Sequence, residues 1–186
     1  MTPHLADTPV LETERLILRA PGPQDWPVFR AMMASERSRF IRSGEIDEGQ
    51  AWRAFGHVIG HWILRGWGNF VMTRKGDDAA LGAVGPWFPA GWPEQEIGWS
   101  IWSQEAEGRG FAFEAAQAAR GFAYDVLNWD GAVSYIDPDN TRSIALAERL
   151  GACRDDDAAT PGDAPCLVYR HPVPDGLADG GMEAYS

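Results

Sequence analysis

The chain has 186 residues, enough for one compact domain, and its 45% hydrophobic and 23% charged residues are ordinary for a globular protein with a buried core. This composition excludes a disordered chain, a collagen-like polymer and a small disulfide-dependent scaffold. The 16 Lys and Arg residues against 27 Asp and Glu residues leave a formal net charge of −11, with no strong basic patch. We therefore expect no nucleic-acid partner, because a small molecule or a cationic acceptor suits this charge better.

The ends of the chain and its two cysteines favour a cytoplasmic protein. Residues 1–13 lack the basic and apolar regions of a secretory signal, and the apolar stretches are too short to span a membrane. Cys153 and Cys166 have no histidine at metal-ligand spacing, so two reduced, core-like thiols are favoured over a disulfide. We expect one domain over residues 1–172, no membrane partner, and a disordered tail over residues 173–186, which are rich in Gly, Ala and Asp.

The first half of the chain is predicted to form a strand, two helices and three strands. The segment 11–19 alternates apolar and polar residues from Leu16 onward and predicts a strand, and helical spacing predicts helices over 26–39 and 49–65. The second helix has one apolar face, formed by Trp52, Phe55, Ile59, Trp62 and Ile63. The three strands that follow are predicted over 69–73, 81–88 and 96–102, and a hairpin turn at 75–78 joins the first two.

The second half is predicted to alternate helices and strands. The clearest helix covers 111–128, with a single apolar stripe of Phe111, Ala115, Ala118, Phe122 and Val126. A strand over 132–136, an amphipathic helix over 140–150 and a last strand over 165–171 follow. This mixed order predicts one α/β domain with a mainly antiparallel sheet and helices on both of its faces.

A glycine-containing stretch, Glu105–Ala112, lies between a predicted strand and the clearest helix. Gly108 and Gly110 let the backbone approach a ligand closely, and the first turn of the helix offers unpaired N–H groups and the positive end of a dipole. Such an arrangement suits a phosphate group. On its own the signal is weak, because the pattern is often only a tight turn, and Phe113 stands where a dinucleotide fingerprint needs its third glycine.

Four segments carry a more specific signal when they are taken together and in order: Thr13–Arg19, Glu96–Ile101, Gly108–Ala115 and Asn140–Gly151. With these segments the chain resembles the GNAT superfamily of acyl-CoA-dependent N-acyltransferases, in particular the ribosomal-protein N-terminal acetyltransferase branch. The resemblance runs from Leu11 to Pro172. It implies acetyl-CoA as co-substrate, an amine acceptor (a small molecule or a protein N-terminus) and a sheet in which strand 96–102 splays from the next strand. A homodimer is compatible with it.

The resemblance also implies which residues bind the cofactor. The splayed strand would contact the pantetheine arm through Ile101, Trp102 and Ser103. The loop before the helix would hold the pyrophosphate through the backbone of Gly108, Arg109, Gly110, Phe111 and Ala112. Asn140 would form a hydrogen bond near the thioester, with Ser143 beside it.

Two positions depart from the family pattern. Glu105 stands where the family has Gln or Arg, which places a carboxylate near the expected pyrophosphate. Ala147 stands where many relatives have a tyrosine that protonates the leaving thiolate. Ser143 lies one helical turn earlier and is a candidate to bind the sulfur instead. Help from an acid is a modest effect, because a thiol with a pKa of about 8.5 leaves readily as a thiolate.

Glu96 is the candidate catalytic base. It begins the splayed strand, where related enzymes often place a carboxylate that acts on the acceptor ammonium through water; an exposed glutamate at a strand end is the alternative. Glu114 lies in the first turn of a helix and is interpreted as structural. Asn140 fits a helix N-cap equally well, and the two roles are compatible.

The remaining conspicuous residues have simpler explanations. His57 and His61 stand four apart on a helix, but no third ligand accompanies them, so we interpret them as a solvated face and expect no metal. Most of the tryptophans in the helical region (Trp26, Trp52, Trp62 and Trp67) are expected to pack the core rather than line an acceptor pocket. The acidic run 155–157 is either a solvated loop or an attractor for a cationic acceptor.

The sequence thus predicts an N-acetyltransferase in which the amine attacks acetyl-CoA directly, with no covalent enzyme intermediate. The alternative is a non-catalytic acyl-CoA-binding module that keeps the fold, for which Glu105 and the missing tyrosine argue. The acceptor stays open among protein N-termini, polyamines, aminoglycosides and amino-acid-like metabolites, because acceptor loops follow no code that can be read from one sequence.

Overall fold

A computed structural model describes residues 5–42 and 44–173. Over these residues one eight-stranded sheet carries four α-helices. The strands are β1 (Leu11–Glu12), β2 (Leu16–Arg19), β3 (Phe70–Arg74), β4 (Asp77–Trp87), β5 (Glu96–Ile101), β6 (Val133–Ile136), β7 (Cys153–Arg154) and β8 (Leu167–Arg170). The helices are α1 (Trp26–Met33), α2 (Glu48–Arg65), α3 (Phe111–Asp125) and α4 (Thr141–Arg149).

The sheet has the order β1-β2-β3-β4-β5-β6-β8-β7, and all its neighbouring strands are antiparallel except β5 and β6. The predicted α/β domain with a mainly antiparallel sheet is therefore confirmed. The strand predicted over 11–19 is divided into β1 and β2, and β7 was given no predicted range, because it has only two residues and forms only by pairing with β8. The first predicted helix is too long: α1 ends at Met33, and a short 3₁₀ turn follows at Glu36–Ser38.

Helices cover both faces of the sheet, as predicted. On β3, successive side chains point to opposite faces. Phe70 and Met72 join the core cluster that contains the alanines of α3, and the ring of Phe70 meets that of Phe122 edge to face at 5.3 Å. Val71 joins the other cluster, in which α1 and α2 contribute Phe29 and Phe55.

The predicted apolar face of α2 is partly wrong. Trp52 and Ile63 are 59% and 69% exposed, whereas His61 is only 2% exposed. The interpretation of His61 as solvated is therefore wrong as well, although His57 is exposed. A buried imidazole is tolerated here because both of its nitrogens are satisfied: Nδ1 donates to the Trp67 carbonyl at 2.9 Å, and Nε2 accepts from a backbone N–H just after β4 at 3.0 Å. Burial lowers the pKa of His61, which keeps the ring neutral.

The two cysteines were predicted to be reduced and core-like, and the chain after residue 172 was predicted to be a disordered tail. Cys153 and Cys166 are unbridged, as favoured, but Cys153 is exposed and therefore not core-like. The predicted tail lies outside the described residues from 174 onward. No described helix is long and apolar enough to cross a membrane, and no three His, Cys, Asp or Glu side chains within residues 5–42 and 44–173 group as metal ligands.

The single parallel pairing in the sheet is short and then opens. β5 and β6 are in register at one position, Glu96 opposite Val133, and the Val133 N–H donates to the Gln95 carbonyl at 2.9 Å. One step further, the hydroxyl of Ser134 donates to the Ile97 carbonyl at 2.6 Å, so a side chain replaces the next backbone bond. Beyond that point the two strands have no pairing, which confirms the predicted splay.

A buried chain of hydrogen bonds holds Ser134 in place. Because the Ser134 hydroxyl proton is committed to Ile97, its oxygen accepts from Nε2–H of His171 at 3.0 Å. Nδ1 of His171 then accepts from Arg120 of α3 at 3.2 Å, and the same guanidinium nitrogen donates to the Leu150 carbonyl at 2.7 Å. Burial and the positive charge of Arg120 lower the pKa of His171 to about 4, so its ring is neutral at physiological pH.

His171 is expected to make folding sensitive to acid. Its pKa rises from about 4 in the folded protein to its ordinary value of 6.5 on unfolding. The unfolded chain therefore takes up a proton first as the pH falls from 6.5 to 4. Over that range the free energy of unfolding should fall by about 3 kcal/mol, because each pH unit is worth about 1.4 kcal/mol. Urea denaturation of the wild type and of His171→Gln at several pH values measures this effect.

Subtracting the free energy of unfolding of His171→Gln from that of the wild type at each pH leaves the contribution of His171. The subtraction removes the contribution of Glu96, whose raised pKa makes stability change with pH in the opposite direction between pH 4.5 and 7. The difference in the free energy of unfolding between wild type and His171→Gln should become smaller as the pH falls. A difference that stays constant from pH 7 to pH 4 would contradict the assignment of a neutral, buried His171.

Candidate active site

The opening between β5 and β6 leaves backbone groups without partners. Along a strand, backbone groups point alternately to the two neighbouring strands. The Trp102 N–H donates to the Leu81 carbonyl of β4 at 2.8 Å, while the Ile97 carbonyl faces β6. By the same alternation Trp99 and Ile101 direct their backbone groups into the opening, where β6 offers them no pairing. Ile101 is one of the residues predicted to contact pantetheine.

Two other residues predicted to contact pantetheine face a different way. The N–H groups of Trp102 and Ser103 both donate to the Leu81 carbonyl, at 2.8 and 3.0 Å. The Trp102 side chain is 3% exposed and packs edge to face on Phe29 at 5.1 Å. Any contact of these two residues with pantetheine would therefore use atoms other than their amides, and their role stays a prediction.

The phosphate loop, defined here as Glu107–Ala112, leads from the opening into α3. Gly108 and Gly110 both lie in the left-handed region, with φ of +69° and +76°. A Cβ at Gly108 would meet no atom within 4 Å, so backbone conformation rather than space requires glycine there. The side chain of Glu105, just before the loop, is exposed.

Five amides of the phosphate loop, those of residues 108–112, are available to bind a ligand, whereas the Glu107 N–H donates to the Gln104 carbonyl at 3.2 Å. The first bond of α3 runs from the Glu114 N–H to the Gly110 carbonyl at 3.1 Å. Within the described part of the chain, no acceptor is found for the five amides before it that were predicted to hold pyrophosphate, those of residues 108–112. Unpaired amides at the start of a 15-residue helix, together with the positive end of its dipole, form an anion site.

The N-terminal segment holds this loop from behind. Arg15 donates through Nη1 to the Arg109 carbonyl at 3.0 Å and through Nε to the Glu114 carboxylate at 2.6 Å. The Thr13 hydroxyl donates to the same carboxylate at 2.5 Å. Burial opposes ionisation of Glu114, but the hydrogen bonds from Thr13 and Arg15 outweigh it and lower the pKa. These contacts support a structural role for Glu114.

A second arginine fixes the loop from the side of α1. Arg37 forms an ion pair with Glu107 at 2.9 Å and makes a long contact of 3.4 Å from Nη2 to the Ile101 carbonyl. Arg142 of α4 pairs with Glu107 as well, at 3.0 Å. No sequence pattern indicates Arg37, because its partner is 70 residues away and no local motif marks the pair.

Glu96 sits where β5 and β6 part. Its side chain is half-buried, and the indole N–H of Trp92 donates to its Oε2 at 2.7 Å. Burial raises the pKa of Glu96 to about 7, and the hydrogen bonds from Trp92 and from the Tyr135 backbone N–H only partly offset this rise. The carboxyl therefore exchanges protons near neutral pH, as a general base must.

A further polar group lies beside Glu96. A Cβ added at Gly98 would stand 3.3 Å from Oε1 of Glu96 and 3.9 Å from Oδ1 of Asn69, so both oxygens flank the same glycine. Oδ1 of Asn69 is buried and has no hydrogen-bond partner among the described residues. A buried acceptor without a partner is costly, and a donor such as an ammonium group would satisfy it. Nothing in the sequence around Asn69 signals this position.

On the far side of the opening, α4 presents Asn140 and Ser143. Oδ1 of Asn140 accepts from the Ser143 N–H at 3.2 Å, so Asn140 is an N-cap and its amide group remains free to donate. The Ser143 oxygen accepts from the Trp99 indole N–H at 3.1 Å, which leaves the hydroxyl proton free. Ala147 is fully buried and offers no acid.

These groups are distributed along β5. The phosphate loop follows the C-terminal end of β5, Glu96 begins that strand, and Trp99 bridges to Ser143 between them. Glu96 and Trp99 are three positions apart along the strand, which is about 10 Å. Amides suited to a phosphate therefore lie at one end of β5, a hydroxyl donor near its middle, and a carboxyl suited to act as a base at its other end.

Comparison with known proteins agrees with this geometry. Residues 15–152 match the model of the acetyltransferase (GNAT) domain family. The crystal structure of an acetyltransferase from Agrobacterium tumefaciens is 36% identical, with a TM-score of 0.82 over 92% of this chain and 99% of that one. Two more distant structures share the fold. The acetyltransferase (GNAT family) from Bacillus anthracis is 22% identical, with a TM-score of 0.69 over 87% of this chain and 96% of that one. The ribosomal-protein-S5-alanine acetyltransferase from Vibrio fischeri is 14% identical, with a TM-score of 0.66 over 90% and 98%. The chain belongs to the GNAT acetyltransferase family.

Proposed function

We propose that this protein transfers the acetyl group of acetyl-CoA to a primary amine by direct attack within a ternary complex. The observation that carries the proposal is the carboxyl of Glu96, whose pKa of about 7 makes it a base at the mouth of the strand opening. The free amides of the phosphate loop at the other end of the opening suit the pyrophosphate of the cofactor.

The residues along the opening fit acetyl-CoA in sequence. The amides of residues 108–112 would hold the pyrophosphate, and the backbone N–H of Ile101, which faces the opening, would pair with pantetheine. Asn140 and Ser143 would then lie beside the thioester. No metal is needed, because the thioester is already activated and the strand edges orient it.

An ammonium acceptor loses two protons in the reaction, and the CoA sulfur gains one. Glu96, directly or through a water, takes the first proton from the acceptor ammonium and later releases it to solvent, and the neutral nitrogen attacks the thioester carbon. A C–N bond forms and the C–S bond breaks as the tetrahedral intermediate collapses. The electron pair leaves on the CoA sulfur, and the Ser143 hydroxyl stabilises this thiolate by donating a hydrogen bond. The nitrogen loses its second proton in the collapse, and that proton passes through water to the thiolate, which gives the amide product and the free thiol of CoA.

The surroundings of Glu96 favour a cationic acceptor. Oδ1 of Asn69 and the Glu96 carboxyl form two acceptors for the N–H groups of one ammonium. The overall charge of −11 attracts cations toward the protein. We infer a primary amine of a small molecule or of a protein N-terminus. The fold that this chain shares with the Vibrio fischeri enzyme keeps ribosomal proteins among the acceptors to test first.

Direct attack predicts sequential kinetics. The thiol of Cys166 interacts electrostatically with Glu96. Burial, together with the neighbouring Glu96 and Asp137 carboxylates, raises the pKa of this thiol, which keeps it protonated and a poor nucleophile. Initial rates at varied acetyl-CoA and amine should give intersecting double-reciprocal lines. Cys166→Ala should retain kcat within about twofold, since thiol-to-methyl changes of this kind mainly affect packing. Parallel lines, or loss of activity in Cys166→Ala, would indicate an acetyl-cysteine intermediate.

The phosphate loop predicts a large effect of Gly108→Val on cofactor affinity. A valine at φ +69° is strained, and the relaxed loop no longer directs its amides at the pyrophosphate. We expect the Kd for acetyl-CoA, measured by calorimetry, to rise at least about tenfold. Gly162→Val is the matched control, because Gly162 has φ +91° and equally open surroundings on a distant loop. Equal affinities of the two variants would remove the phosphate loop from the site.

The raised pKa of Glu96 predicts the pH profile. The base acts when ionised, so kcat/KM should increase with pH and level off above about 7. Glu96→Gln should lower kcat by about 100-fold and abolish the increase of kcat/KM with pH. Trp92→Phe removes a hydrogen bond that stabilises the Glu96 carboxylate, so the increase of kcat/KM in this variant should occur at higher pH than in the wild type.

Asp125→Asn is the control, because Asp125 is an exposed carboxylate at the opposite end of α3 and should keep the wild-type profile. An unchanged increase of kcat/KM with pH in Glu96→Gln would exclude Glu96 as the base. Binding of acetyl-CoA without transfer to any amine tested would favour the non-catalytic acyl-CoA-binding module.

A further inference from the structure

A second concave surface, outside the opening, lies behind the phosphate loop. It encloses about 580 Å³ and is lined by Arg15, Arg74, Lys75, Arg109 and Phe111. Four of the 16 Lys and Arg residues of the chain thus meet in one cavity of a protein with a net charge of −11. Such a concentration of one sign of charge is unfavourable unless an anion accompanies it.

The acidic groups near this cavity do not neutralise it. Glu114 pairs with Arg15 at 2.6 Å, and Glu12 pairs with Lys75 at 3.5 Å. No carboxylate within the described ranges pairs with Arg74 or Arg109. The cavity therefore keeps two uncompensated positive charges.

The arginines of the cavity are held in place by one aromatic ring. The guanidinium of Arg15 lies 4.7 Å from the centre of the Phe111 ring, and that of Arg74 lies 5.4 Å from it. Nε of Arg74 is buried and has no hydrogen-bond partner among the described residues. Two like charges are thus ordered around one ring, and one of them has a donor left unsatisfied.

The position of the cavity relates it to the cofactor. Phe111 contributes its amide to the phosphate loop and its ring to the cavity, and Arg109 belongs to both. Because the loop and the cavity share these two residues, we place in the cavity the group that lies one sugar away from a pyrophosphate bound on the loop. In acetyl-CoA that group is the phosphate on the ribose 3′-oxygen, which is a dianion suited to several guanidinium donors.

We propose that the cavity formed by Arg15, Arg74, Lys75, Arg109 and Phe111 is a phosphomonoester subsite that binds the 3′-phosphate of CoA. The inference rests on the proposed function, since it assumes that the phosphate loop holds the pyrophosphate. The subsite discriminates the phosphorylated cofactor from forms that lack this phosphate. The net charge of the protein acts against the extra phosphate, so any preference for it must come from local cations.

Calorimetry with acetyl-CoA and with its 3′-dephospho form tests the subsite at fixed salt. The wild type should bind acetyl-CoA about tenfold or more tightly, because hydrogen bonds to charged groups are strong. In Arg74→Gln and in Lys75→Gln the ratio of the affinity for acetyl-CoA to that for the dephospho form should fall toward one. The affinity for the dephospho form itself should stay unchanged. Lys75 lies in an exposed turn, so its variant folds even if Arg74→Gln does not. Arg154→Gln, on the opposite edge of the sheet, should keep the full preference.

The outcomes separate this inference from the proposed function. Wild-type protein that binds neither form would overturn the proposed function itself. Equal binding of both forms by the wild type, or a preference that survives in both variants, would overturn the subsite alone. Thermal stabilisation by inorganic phosphate should be strong for the free protein and absent once acetyl-CoA is bound. Equal thermal stabilisation of the free protein and of its complex with acetyl-CoA by inorganic phosphate would assign the cavity to a separate anion and overturn the proposal.

Discussion

The hydrogen bond from Ser134 to the Ile97 carbonyl is the contact on which the site depends. It ends the β5–β6 ladder after one backbone pairing and so opens the sheet. The bond is buried and is held through His171 to Arg120, which lies on the helix that follows the phosphate loop. The opening in the sheet and the placement of that helix thus share one network. Such a network is most effective when every member is satisfied, as it is here.

The same early end of the ladder creates the environment of the Glu96 carboxyl, the proposed base. In a continued parallel ladder the Tyr135 N–H would bond to the neighbouring strand, but here it contributes a hydrogen bond to the Glu96 carboxyl instead. The carboxyl thereby lies between two diverging strands, partly removed from water. Desolvation outweighs its hydrogen bonds and brings the pKa of Glu96 to about 7. A glutamate at the end of a fully paired, solvated strand would keep its ordinary pKa.

The parts of the fold and site that were predictable are those encoded locally. The glycines of the phosphate loop are marked by their own backbone requirement, and the helix after them by its periodicity. The roles of Ser134, His171 and Arg37 depend on partners tens of residues away, so no local pattern signals them. The error at His61 has a related origin: periodicity predicts the helix, but the side chain is buried by its bonds to the Trp67 carbonyl and to the Phe88 N–H, 27 residues further along the chain.

The bonds from Thr13 and Arg15 to the phosphate loop and the first turn of α3 span 94 to 101 residues of sequence. During synthesis the N-terminal segment therefore leaves the ribosome well before the loop that it holds. At usual elongation rates this delay is about 5–20 s. Closing so long a loop is slow and entropically costly, which places assembly of the phosphate loop late in folding. A nascent chain accordingly lacks the finished loop until its N-terminal strand has docked, so the proposed cofactor site would form only at that stage.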